Sequence, residues 1–277
     1  MKNKMHYLKQ IPVLLLFACL MACGNAKSGG ENDKGKDGAN GTTSNVSTEL
    51  PKAVTSADLE KAKKDGKSVF LVITGTGATG VENAAAIVKD ANTKAANSLV
   101  FLLNRDDAAN STIVTKLGIT TVPVPFILVV SPKGNPVAGG QAAQMTTDQI
   151  VKSIPSPKED DVYVALGEKK PVFIIVSKAD YKDKDGVIAN CKTAGSKLTP
   201  NANIIEFDFD DANEKDFMTQ IGVTQMNGAT VTVVINTQGQ ITETFTKKPT
   251  VNQLNEAVNK VIKKSGCCPG GSGKGCG

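Results

Sequence analysis

Leu117 to Gly134 reads LGITTVPVPFILVVSPKG, and Ile221 to Gly239, 104 residues further on, reads IGVTQMNGATVTVVINTQG. Both stretches run from a glycine (Gly118, Gly222) through a short polar turn into five or six apolar residues and close on a second glycine (Gly134, Gly239). Each predicts an arm of a β-hairpin. Upstream of each lies an apolar strand, Val69 to Thr74 (VFLVIT) and Val172 to Ser177 (VFIIVS). The offsets agree: 103 residues from Thr74 to Ser177, 104 from Gly118 to Gly222, and 105 from Gly134 to Gly239. A drift this small is what short loop insertions leave in a duplicated domain.

The repeat divides the 277 residues into two domains of roughly 100 residues, each long enough to bury its own core. The expected organisation is a signal over 1–22, a tether over 23–50, a first domain over 51–154, a linker over 155–159, a second domain over 160–264, and a Gly/Cys-rich tail over 265–277. In the signal, Lys2, Lys4 and Lys9 form a positive start, Ile11 to Phe17 is apolar, and Leu20-Met21-Ala22 leads into Cys23. That segment resembles the lipobox of bacterial lipoproteins. The resemblance implies cleavage before Cys23, acylation of that cysteine, and a lipid-anchored place in the bacterial cell envelope, with membrane lipid and an envelope protein as partners. From Gly24 to Leu50 there is almost nothing to bury, so a flexible coil spanning roughly 30 Å is expected.

Removing the signal narrows the available chemistry. The single histidine, His6, leaves with it, which excludes Ser-His-Asp, Cys-His and His-based zinc sites. The net charge falls from +5 to +2 because three lysines leave. With Arg105 as the sole arginine and no tryptophan, neither signature of nucleic-acid binding is present. No cofactor is expected.

The first domain reads as a short helix capped by Ser56, a covered strand at Val69, a Gly-rich turn (Gly75 to Gly80), a helix, a second covered strand (Leu99 to Leu103), a helix from Ser111, the hairpin, and a helix from Thr147 to Ile154. This β-α-β-α-β-β-α order, with Val122-Pro123 ahead of the third strand, resembles thioredoxin. The resemblance implies an α/β protein of two tandem thioredoxin-like domains, each a mixed central sheet flanked by helices. It also places Gly77 and Gly80 where that family carries its Cys-x-x-Cys, and makes Pro123 the candidate cis-proline. Without a thiolate, no thiol–disulfide exchange is expected there. A rival reading takes Gly75-x-Gly77-x-x-Gly80 as a dinucleotide-binding turn, with Asn104-Arg105-Asp106 as the ribose contact.

In the second domain the same register brings Asp180 and Asp183 to the cysteine positions and Asn227-Gly228 to the place of Pro123. The two aspartates predict a solvated helix start rather than a calcium loop, since the closing glutamate of an EF-hand is missing. Cys191 falls on the apolar face of the following helix and is expected to be buried and inert. A closing helix is expected over 251–262. The tail, SGCCPGGSGKGCG, holds Cys267, Cys268 and Cys276. In an exported protein these cysteines point either to a disulfide or envelope crosslink, or to thiol redox or soft-metal handling such as Cu(I). The leading functional expectation is a non-catalytic binding or scaffold module. The alternatives are a tail that makes the chain a thiol–disulfide oxidoreductase or metal carrier, and dinucleotide binding at Gly75 to Gly80.

Overall fold

The computed structural model describes residues 49–262. The expected signal, Cys23, most of the tether, and the tail cysteines Cys267, Cys268 and Cys276 lie outside the described residues. The chain divides between Pro155 and Ser156 into two compact units.

The first unit contains α1 (Ser56–Lys64), β1 (Ser68–Thr74), α2 (Val81–Lys94), β2 (Ser98–Asn104), α3 (Ser111–Leu117), β3 (Phe126–Val130), β4 (Pro136–Gln141) and α4 (Thr147–Lys152). Its sheet has the order β2-β1-β3-β4, with β1 parallel to β2 and the other two neighbouring pairs antiparallel. The second unit repeats the series as α5 (Pro157–Gly167), β5 (Val172–Ser177), α6 (Lys184–Gly195), β6 (Asn203–Asp208), α7 (Lys215–Gln220), β7 (Val231–Ile235), β8 (Ile241–Phe245) and α8 (Val251–Asn259). Its sheet order is β6-β5-β7-β8, with the same directions.

The alternation of strand side chains explains why β1 and β5 are apolar at every position. Val69, Leu71 and Ile73 face the core shared with Ile113, Val114 and Leu117 of α3, whereas Phe70 and Val72 face Ala84, Val88 and Ala91 of α2. In the second unit Val172, Ile174 and Val176 face α5 and α7, and Phe173 and Ile175 face α6 and α8. A strand in the middle of a sheet covered on both sides has no polar face. By contrast β2, an edge strand, is only partly covered, which corrects the expectation of a second fully covered strand.

The two outer edges of β2 and β6 are finished differently. In the first unit Lys52 to Val54 runs alongside β2: the Val54 N–H donates to the Leu102 carbonyl (2.8 Å) and the Leu102 N–H to the Lys52 carbonyl (2.9 Å). At the matching position of β6, the Glu206 carbonyl accepts from the Lys158 side chain of α5.

Three boundaries depart from expectation. Thr55, not Ser56, caps α1, through a capping box with Asp58. Most of the expected 155–159 linker is the start of α5: Ser156 is the N-cap, Pro157 the first helical residue, and Glu159 closes the box. The closing helix ends at Asn259, and Lys260 to Ile262 lies extended against the β7–β8 turn, where Asn236 Nδ2 donates to the Lys260 carbonyl and Gln240 Nε2 to the Ile262 carbonyl (2.9 Å each).

Candidate functional site

The turn from β1 into α2 follows from its glycines. Gly77 and Gly80 have φ of 75° and 80°, a region that residues with a Cβ rarely adopt, and Gly80 is the N-cap of α2. Gly75 is needed for a different reason. A Cβ there would lie 2.7 Å from Asp106 Oδ2, and Asp106 uses that oxygen to accept the Thr76 N–H at 2.6 Å. The Thr76 N–H, foremost, holds the Asp106 carboxyl below the usual carboxylate range, helped by Arg105, whose Nε is 3.4 Å from Oδ1. The side chain expected to meet a ribose therefore reaches back into the glycine turn. It takes a backbone donor that a pyrophosphate would need and sets a negative charge beside it. Together with an antiparallel β3, this removes the basis for a dinucleotide-binding turn.

In the second unit, Asp183 stands at the N-cap of α6, at the position that Gly80 holds on α2. Its carboxylate does not cap its own helix. It crosses to the residue before β7, accepting from the Thr230 N–H (3.3 and 3.1 Å) and from Thr230 Oγ1 (2.8 Å). Thr230 is fully buried, so this pairing satisfies a donor that water does not reach. Asp180 lies in the preceding turn and is exposed. The two aspartates therefore do different things, and among the described residues no cluster of His, Cys, Asp and Glu could hold a metal ion.

The cis-proline expectation is corrected by two residues. The cis bonds are Val124–Pro125 and Thr199–Pro200, and Pro123 is in neither. Pro125 directly precedes β3, just as Thr230 directly precedes β7, so the counterpart of the cis-proline is Thr230 rather than Asn227-Gly228. The comparable positions in each unit are thus the N-cap of the helix after the first strand and the residue before the third strand, Gly80 and Pro125 in the first and Asp183 and Thr230 in the second; of these two pairs, Asp183 and Thr230 are joined by hydrogen bonds.

Cys191 is the one cysteine among the described residues. It is fully buried in the core between α6 and the sheet, and burial pushes its pKa up to about 12. A thiol in that state is neither a nucleophile nor a ligand at neutral pH.

Sequence reasoning missed Asp106 and Thr230 as the groups that hold the two turns. A signal for the first was present: Asp106-Asp107-Ala108 recurs as Asp210-Asp211-Ala212 at the repeat offset of 104 residues. Nothing marks Thr230, a polar residue among polar and apolar neighbours.

No protein-family model matches the chain, and no curated protein matches it. Among solved structures it is similar to the disulphide isomerase from Xylella fastidiosa Temecula1, at 15% identity and a TM-score of 0.29, covering 36% of this chain and 88% of that one. It is also similar to the first two thioredoxin domains of Eps1p from Naumovozyma dairenensis, at 11% identity and a TM-score of 0.29, covering 77% and 98%. A third similarity is to the zinc-bound form of human ERp44, at 8% identity and a TM-score of 0.33; it covers 76% of this chain and 60% of that one. With the strand order, strand directions and flanking helices repeated twice, the protein is a tandem of two thioredoxin-like domains.

Proposed function

We propose that the protein is a lipid-anchored component of the bacterial cell envelope whose two domains, redox-inactive at their turns, form a binding or scaffold module for another envelope protein. The observation that carries this reading is the pair of helix N-termini. In this fold that place lowers a cysteine's pKa, and here it holds Gly80 and Asp183. Asp183 is moreover committed to Thr230, so it serves the fold and not a substrate. The anchor rests on the sequence leading to Cys23.

The test is disulfide reduction of insulin by the mature protein and by the same chain ended after Lys264. Neither should exceed the rate of a free dithiol. Rapid reduction by the shortened chain would overturn the reading, whereas activity lost on shortening would transfer the chemistry to Cys267, Cys268 and Cys276. In the same preparation, Cys23→Ala should abolish partitioning into the detergent phase.

A further inference from the structure

The first domain has a cleft of about 140 Å³ between α1 and the β3–β4 turn. At roughly 30 Å³ per water in the liquid, it has room for a compact ion or a short polar group. Four lysines line it, Lys63, Lys67, Lys116 and Lys133, against a single carboxylate, Glu60, which Lys116 already holds at 3.0 Å. The ammonium groups of Lys63 and Lys67 make no hydrogen bond or close ion pair among the described residues, and feel only the longer-range attraction of Glu60 and Asp65 respectively. Lys63 lies across Gly134, where a Cβ would come within 3.2 Å of its Cδ, so the glycine of the turn lets the lysine stem pass over it.

Asn135 also lines the cleft, and its Nδ2 is buried without a hydrogen-bond partner among the described residues. The second domain shows what this position does when it has a partner. Ser131 and Asn135 bracket the first hairpin turn as Asn236 and Gln240 bracket the second: the Ser131 N–H donates to the Asn135 carbonyl (2.8 Å) and the Asn236 N–H to the Gln240 carbonyl (3.0 Å). The Gln240 side-chain amide, the counterpart of Asn135, donates to the Ile262 carbonyl at 2.9 Å. In the first domain the chain after α4 passes into α5, and no such carbonyl reaches Asn135. The same donor is left unpaired beside a cleft that Lys63 and Lys67 also line. A buried amide donor without an acceptor is costly, and an acceptor that also carries negative charge would answer both the amide and the lysines.

We propose that this cleft binds the oxyanion group, phosphate or carboxylate, of a small ligand, with Asn135 Nδ2 donating to one oxygen and Lys63 and Lys67 supplying the charge. The site lies outside the strand-to-helix turns and does not depend on the function proposed for them.

The test is an NMR titration of the full mature chain with inorganic phosphate and, separately, with citrate, with chloride at matched ionic strength as the control. The expected result is saturable shifts of the Asn135 side-chain amide and the Lys67 backbone amide with phosphate, citrate or both, and none with chloride. Loss of a hydrogen bond to a charged group should weaken binding by Asn135→Ala about tenfold or more. Lys67→Gln should weaken it several-fold, and Lys197→Gln, an exposed lysine of the second domain, should leave it unchanged. Saturation by citrate alone would identify the ligand group as carboxylate, and by phosphate alone as phosphoryl. Shifts that do not saturate with either ion, or binding that survives both Asn135→Ala and Lys67→Gln, would overturn the proposal. If Asn135→Ala does not fold, Lys67→Gln against Lys197→Gln still decides it.

Discussion

The two strand-to-helix turns open on the same hydrogen bond, Ala78 N–H to the Gly75 carbonyl and Tyr181 N–H to the Lys178 carbonyl, and then part: Gly80 is left-handed where Asp183 is right-handed, and different residues hold the two turns. After the second strand of each domain an Asn or Asp side chain accepts the N–H two residues on (Asn104 from Asp106, Asp208 from Asp210, 3.0 Å each). The next aspartate caps a short turn (Asp107, Asp211). There the likeness ends. Asp106 enters its own domain's turn over Gly75 and takes a backbone N–H, whereas its counterpart Asp210 pairs with the side chain of Lys178, the residue that replaces Gly75, at 2.7 Å. The second domain compensates with the Asp183–Thr230 pairing, which Gly80 and Pro125, at the matching positions and without polar side chains, cannot make. A duplicated fold thus keeps its strand-to-helix connection while changing both the backbone of the turn and the residue that supplies the contact. The position at the helix N-terminus is in one copy a backbone requirement and in the other a structural clasp.

The largest effect that bears on this contrast is expected from Asp183→Ala. It leaves the buried Thr230 N–H and hydroxyl without an acceptor and should cost about 2–3 kcal/mol in denaturant unfolding. A cost near zero would mean the clasp is ornamental. Gly75→Ala should cost about 1–2 kcal/mol, because the added methyl displaces the Asp106 carboxylate from Thr76. Lys178→Ala, at the same place in the second domain, should cost less than about 1 kcal/mol, since its partner Asp210 is largely exposed. Equal effects at the two positions would erase the distinction between the turns.

The smallest effects are expected from the capping boxes at the start of each domain, and they have opposite signs with pH. Thr55, foremost, and Lys52 hydrogen-bond the Asp58 carboxylate and lower its pKa to about 2. Its contribution to stability is present above its ordinary value of 3.8 and is lost as the pH falls toward 2. Glu159, in the matching box, has its pKa raised, chiefly by burial and further by the nearby Glu214 and Asp160 charges, against hydrogen bonds from Tyr163 and the Ser156 N–H. Its contribution is full below the ordinary 4.5 and is lost as the pH rises through the elevated value. Asp58→Asn should therefore destabilise at pH 7, by an amount that shrinks toward pH 2. Glu159→Gln should stabilise at pH 7 and change nothing near pH 4. Unfolding midpoints across that range check both signs, and parallel pH profiles for the two variants would contradict the environments assigned to the two boxes.

Much of this was legible in the residues. Gly118 and Gly222, Gly134 and Gly239, and the paired apolar strands carry the duplication, because a glycine at positive φ and a strand buried on both faces leave marks that other residues do not imitate. The start of α5 was legible too, since Ser156-Pro157-x-Glu159 has an N-cap, a proline at the first helical position and a reciprocal glutamate; two prolines close together masked it as a linker. The cis bond was not. Pro123 and Pro125 both precede one apolar run, and only the pairing of Phe126 with Ile73 shows where the ladder begins and which proline abuts it. The clasp at Thr230 was hidden for the same reason: it joins residues 47 positions apart, and neither end of it departs from ordinary loop composition.

The unequal finish of the two outer sheet edges has a consequence for how such a chain grows by duplication. An edge strand left with bare carbonyls and amides is a template for another chain, and here the first copy closes its edge with the three residues ahead of its opening helix. A second copy cannot do so, because those three places, Ser153 to Pro155, are used to end α4 and reach Ser156. Lys158 answers the Glu206 carbonyl instead and sets an ammonium group at the open edge. Any further copy added in this register would inherit the same shortage and need the same lysine, so solubility, more than stability, is the property that this contact safeguards.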